Sequence, residues 1–254
     1  MTIELYTSQE IAKLLEFCDV RTKALVLLLA SSGMRVGAIS ELQLNHLAKI
    51  EKYHLYKVRV YAGYKEEHIT FTTPEAAHSL DAYFAFRERY GEKITPSSPV
   101  IREQFNIEDQ LIARHPKKVT ANSLGEMIAY ALQKSGIFES HRLTESKKSG
   151  AIRNAIHRAH GFRKFFETNL FRAKILDPIP EMLLGHDIGM KKHYIRLTED
   201  EILEEYIKAV DLLTINEESR LRRKVIELTS SADRIDNLQE QIELLSHRLG
   251  LDHL

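Results

Sequence analysis

Cysteine is nearly absent from this chain. Cys18 is the one example in 254 residues, which excludes an internal disulfide and any cysteine-rich zinc site. Net charge is absent too, since thirty-six Lys and Arg balance thirty-six Asp and Glu. Total charge therefore gives no sign of a nucleic-acid partner. No long apolar run exists: the longest, Ala24 to Ala30, falls far short of the roughly 20 residues that cross a bilayer. Met1-Thr2-Ile3-Glu4 lacks the basic start and apolar stretch of a secretory signal. The expectation is a soluble, cytoplasmic protein without a membrane partner. Six prolines and eleven glycines are few, which leaves room for helices. Apolar residues at 43% and charged residues at 28% exclude wholesale disorder. The length suits one sizeable core with an extension.

Helix starts are legible. Thr7 with Glu10, Ser123 with Glu126, and Thr198 with Glu201 fit the capping box, in which each side chain takes the other residue's backbone N–H. They predict helices running to about Phe17, Ser135 and Leu213. Asp19 predicts the cap of another helix ending near Gly33. Its Ala24-Leu-Val-Leu-Leu-Leu-Ala30 stretch is apolar all round, as a central core helix must be. A further helix is expected over Val36 to Leu44, and another from Pro74 to about Tyr90. Leu55 to Tyr61 and His68 to Thr72 alternate and are rich in β-branched and aromatic residues, so they predict a hairpin turning at Ala62 to Glu67. Gly91 to Val119 holds three of the prolines and reads as loop.

The zero total hides a segregation. From His141 to Lys174 nine Lys and Arg face two acids, Glu145 and Glu167, a net of +7. From Glu199 to the end fourteen acids face seven bases, a net of −7. A basic run is either a solvated face or a surface for phosphates. The tail also has a period. Leu221, Val225, Leu228, Ala232, Ile235, Leu238, Ile242, Leu245 and Leu249 form a near-heptad seam on an otherwise polar helix, with one skip after Ile235. That pattern points to a coiled-coil partner or to a helix folded back on its own domain. The chain thus divides into a globular part over 1–213 and a helical extension over 214–254.

Four places hold reactive side chains. In Ser32-Gly33-Met34-Arg35 a glycine ends the buried helix, and an arginine follows that needs an anionic partner, either Glu41 or a bound phosphate. Lys65 sits at the hairpin tip. His160 and Arg163, three apart on a helix, share a face, with Phe162, Phe165 and Phe166 anchoring it. His186 emerges beside Gly185, and Tyr194 follows eight residues later. His157 lies one turn before His160, but no carboxylate stands at metal-site spacing, so the pattern calls for neither a metal nor a cofactor.

Together these residues suit phosphodiester transesterification. Two guanidinium forks match the charged non-bridging oxygens of the transition state. A tyrosine phenol, with a pKa of about 10, attacks phosphorus once a histidine accepts its proton. A lysine protonates the departing deoxyribose oxygen. The phosphoester bond is conserved on tyrosine, so rejoining needs neither ATP nor a metal.

From about Thr7 to Ala209 the sequence resembles the catalytic domain of the tyrosine recombinase (phage integrase) family. Ser31-Ser-Gly-Met-Arg-Val-Gly37, Ala159-His-Gly-Phe-Arg-Lys-Phe165 and Glu181-Met-Leu-Leu-Gly-His-Asp187 resemble its three boxes, and Tyr194 falls where the nucleophile stands. The resemblance implies a mostly helical fold with a small antiparallel sheet. It also implies roles: Tyr194 forms a 3′-phosphotyrosyl link, Arg35 and Arg163 hold the phosphate, Lys65 protonates the 5′ oxygen, His160 transfers protons, and His186 supports the transition state. Double-stranded DNA is the implied partner, along segment 141–174, and the implied function is site-specific recombination. A topoisomerase or resolvase using the same bond chemistry, and a DNA-binding relative without catalysis, are the other readings. The chain departs from the family's pattern in having Ala38 where an acid often supports the first arginine, a place Glu41 is expected to take. The family usually carries a further amino-terminal domain, and its segment after the tyrosine commonly docks on a neighbouring subunit. Self-association through the tail is expected here.

Overall fold

The computed structural model describes residues 6–137, 143–145, 152–154, 158–189, 196–221 and scattered positions from 224 to 245. They divide into two units, Met1–Ile215 and Asn216–Leu254.

The first unit is built around α2, Val20–Ser32. Ala24 to Ala30 are all 6% exposed or less, so the helix is buried on every side, as its composition requires. It packs against α4, Pro74–Arg89, and against α7, Arg158–Arg172. The capping expectations hold at α1, Ser8–Glu16, where Thr7 and Glu10 bond reciprocally. They hold again at Asp19, which accepts from Thr22 N–H at 2.7 Å, and at α9, Glu199–Leu213, with Thr198 and Glu201. Among the described residues, no helix is long and apolar enough to cross a membrane.

Three expectations move. α3 stops early, at Val36–Ser40. Beyond it Leu44 N–H donates to Ser98 O at 3.0 Å and Val100 N–H donates to Leu42 O at 2.9 Å, so pairing with the 96–100 segment draws this stretch out of the helix. Leu42 is buried all the same, which is why its spacing read as helical. α6 spans Ala121–Ser135 and is capped by Thr120, with Ser123 supplying the N–H that Thr120 accepts. The Gly91 to Val119 stretch includes a short helix, α5, Gln110–Arg114.

The sheet is an antiparallel meander of β1, Leu47–Ile50, β2, Leu55–Val60, and β3, His68–Phe71. β1 was not legible: its four residues, Leu-Ala-Lys-Ile, do not alternate and hold a single β-branched side chain, and pairing to β2 extends them. The hairpin is as expected, with Val60 opposite His68 beside the turn. A second pair joins β4, Leu143–Glu145, to β5, Ile152–Asn154. α8, Ile179–Leu184, packs on β3.

An ion network replaces regular structure after α4. Arg87, Glu92 and Arg102 are each at most 4% exposed. Both guanidiniums bond the Glu92 carboxylate. Further N–H groups go to carbonyls of Pro99, Val100, Ile112 and Ala113, so each buried charge is hydrogen-bonded as burial demands, although Arg102 Nε has no hydrogen-bond partner among the described residues.

In the second unit, residues 217–221 and the described positions beyond them are helical. Leu221, Val225, Leu228, Ile235, Leu238, Ile242 and Leu245 of the seam are all more than half exposed.

Candidate active site

Two left-handed glycines deliver the site's loops. Gly33 ends α2 at φ +63, and a Cβ there would lie 2.2 Å from the ring of Phe166 on α7. Only glycine permits both that φ and that approach. The turn lets Arg35 begin α3 at its N-cap, with its side chain exposed. The expected pairing with Glu41 is not found: Glu41 bonds Lys118 on the surface. An exposed guanidinium keeps its hydration and so does not need the internal counter-ion that the sequence suggested.

Arg163 is the opposite case. It is 7% exposed, on α7. One guanidinium nitrogen donates to Gly33 O at 2.8 Å. The other donates to Leu184 O at 2.7 Å and meets His186 Nε2 at 2.7 Å. Burial is the largest effect lowering its pKa, with the nearby Arg35 charge second, yet a guanidinium stays protonated.

His186 follows Gly185, whose φ of +65 ends α8. Arginine has only donors, so His186 Nε2 accepts from Arg163. Its hydrogen is then on Nδ1, which donates to the Glu181 carboxylate. Glu181 therefore holds the histidine's orientation and tautomer. It belongs to the third box, but nothing in the spacing singled it out.

The three groups meet at one place. Arg35 and His186 both bear electrostatically on His68 at the start of β3, as does Arg163. Tyr61, in the left-handed region at φ 52, bears on Arg163. His160 is exposed, one helical turn before Arg163. Lys65 is exposed in the hairpin turn, three residues before His68; among the described contacts none ties its ammonium to the arginines. Tyr194, and His157 with it, lie outside the described residues. His68 and Tyr61 were missed by sequence reasoning, since a lone histidine or tyrosine in a strand is ordinary.

A mostly helical body with a small three-stranded antiparallel sheet is the architecture of a tyrosine recombinase catalytic domain. The chain belongs to the phage integrase family, whose model matches residues 4–201. The XerA recombinase crystal structure is similar over 81% of this chain and 62% of its own, with a TM-score of 0.52 and 18% identity. The integrase from mycobacterium phage Brujita matches 85% of this chain and 59% of its own, at TM-score 0.51 and 18% identity. The Tn1549 transposon integrase, solved in complex with transposon right end DNA, matches 82% and 66%, at 0.51 and 16%. At such identities the likeness is one of fold. The chain spans about three-fifths of the XerA chain it matches. No curated protein sequence matches it significantly.

Proposed function

We propose that this protein is a site-specific DNA recombinase that breaks and rejoins strands through a 3′-phosphotyrosyl intermediate. The observation that carries the reading is the convergence of Arg163, Arg35 and His186 around one place, with Arg163 held by two backbone carbonyls. A buried guanidinium already oriented stabilises charge on a phosphorane without reorganising during the reaction.

Tyr194 Oη attacks the scissile phosphorus and the P–O5′ bond breaks. The phenol proton passes to His160, and Lys65 Nζ supplies a proton to the 5′ oxygen. Arg35 and Arg163 hold the non-bridging oxygens. His186, neutral with its hydrogen on Nδ1, supports the phosphate side through Arg163. No metal enters these steps. Reversal by an incoming 5′ hydroxyl reseals the strand. The basic residues of 141–174 contact backbone phosphates, so binding weakens steeply with salt. The tail carries subunit contacts.

The test is a pool of nicked duplexes of randomised sequence, in which a cleaved strand is lost and the adduct persists. A covalent adduct that forms in EDTA and disappears in Tyr194→Phe is the expected result; sequencing the trapped DNA gives the site. An adduct kept in Tyr194→Phe and lost in Tyr61→Phe moves the nucleophile to the hairpin, beside Arg163. Relaxation of supercoils with no recombinant product favours a topoisomerase.

A further inference from the structure

His68 is the residue on which the site's elements close. It begins β3, opposite Val60. A Cβ built on Gly185 would lie 2.3 Å from its ring, so the ring is pressed onto the turn that delivers His186. Its Nδ1 lies 2.9 Å from Glu66 O. A carbonyl only accepts, so Nδ1 carries the hydrogen and Nε2 keeps a lone pair. That Nε2 is buried and has no hydrogen-bond partner among the described residues. Arg35, Arg163 and His186 face the ring from three elements, and Tyr61 from the hairpin, at 6.3 Å between ring centroids.

The hairpin turn is a closed piece. Gly63 N–H donates to the Glu67 carboxylate at 2.5 Å, and Tyr64 N–H donates to Tyr61 O at 2.9 Å. Its two left-handed residues, Tyr61 and Gly63, set a fixed path. Lys65 rides on this piece with an exposed side chain. The next peptide group, at Glu66, is the one that His68 holds.

Resting on the strand-transfer reading above, we propose that His68 is a positioning residue: its ring latches the hairpin carrying Lys65 onto the glycine turn carrying His186, and so sets where the lysine ammonium stands against the scissile phosphate. The latch acts through shape at Gly185 and through one hydrogen bond at Glu66. It works in the neutral ring. Burial is the largest effect keeping the second proton off; the Glu66 hydrogen bond works against it, and the Arg163 and Arg35 charges work with it, since an imidazolium there would push against both guanidiniums.

The experiment compares His68→Phe with Lys65→Ala on ordinary DNA and on DNA whose bridging 5′ oxygen is sulfur, a leaving group that needs no acid. His68→Phe keeps a ring and loses the Nδ1 hydrogen. It is expected to slow cleavage of ordinary DNA about tenfold to hundredfold, the scale on which ångström misplacement acts, and to recover most of that loss on the sulfur substrate, as Lys65→Ala does. The double variant is expected to match Lys65→Ala within about twofold, as coupled residues do. His68→Asn, which keeps a short donor for Glu66 O, is expected to retain more activity than His68→Phe. An equal loss on both substrates, an additive double variant, or no loss overturns the latch. Hydrogen exchange without DNA gives a separate reading: amides 62–67 exchange faster in His68→Phe, while those of α2 do not change. Should wild-type protein form no adduct, the strand-transfer reading fails, and exchange alone decides whether the latch exists; unchanged exchange overturns it. If His68→Phe does not fold, His68→Leu is read in the same way.

Discussion

At the scale of residues, the two arginines differ in kind. Arg35 is exposed at a helix start, whereas Arg163 is buried and bonded to Gly33, Leu184 and His186. An ammonium cannot reproduce that fork. Arg163→Lys is therefore expected to lower the rate of adduct formation by about a hundredfold or more and to lower the melting temperature as well, read by single-turnover cleavage and calorimetry. Arg35→Lys is expected to affect the rate alone. The histidines also carry a pH signature. His68 and His46 both have pKa values lowered from 6.5, with burial the largest cause. The unfolded chain then binds protons more readily than the folded one. Their contribution is full above pH 6.5 and is lost as pH falls through the lower, folded values. Urea midpoints measured from pH 7 to pH 5 are expected to fall, and to fall less steeply in His68→Phe.

At the scale of elements, the boxes were readable because each couples a local rule to a reactive side chain. A glycine after an apolar helix, with arginine two residues on, can be seen in a string of letters; so can histidine and arginine three apart. What could not be seen is distance across the chain. His68 is unremarkable until Gly185, far along the sequence, closes on it. β1 exists because β2 lies beside it. Val36 to Leu44 read as one helix because Leu42 is buried at helical spacing, although its backbone pairs elsewhere. The expected pairing of Arg35 with Glu41 failed for a related reason: the neighbours of Arg35 are buried and it is not. The Arg87–Glu92–Arg102 network was invisible as well, since charged residues in a loop read as solvated. Glu92→Gln leaves two buried guanidiniums without a counter-charge. Breaking such a group costs about 3–5 kcal/mol, which chemical denaturation is expected to show directly.

At the scale of the whole molecule, the balanced charge of the sequence conceals a basic middle and an acidic tail, and the unit Asn216–Leu254 carries a row of exposed apolar residues. A stripe of this kind in water favours a partner helix. A chain ending at Thr214 is expected to elute as a smaller assembly than the whole chain at equal concentration. Equal subunit number in both would assign the contacts to the first unit.

The bond from Arg163 to Gly33 O ties the two guanidiniums proposed to hold the phosphate to a common reference. Gly33 lies two residues before Arg35, so the carbonyl that anchors one guanidinium is also the root from which the other extends. Their spacing is thus a gauge built into a single peptide group. Any substitution that shifts this peptide, even one that touches neither arginine, is expected to detune both arms together. Repairing one arm alone would not restore the pair.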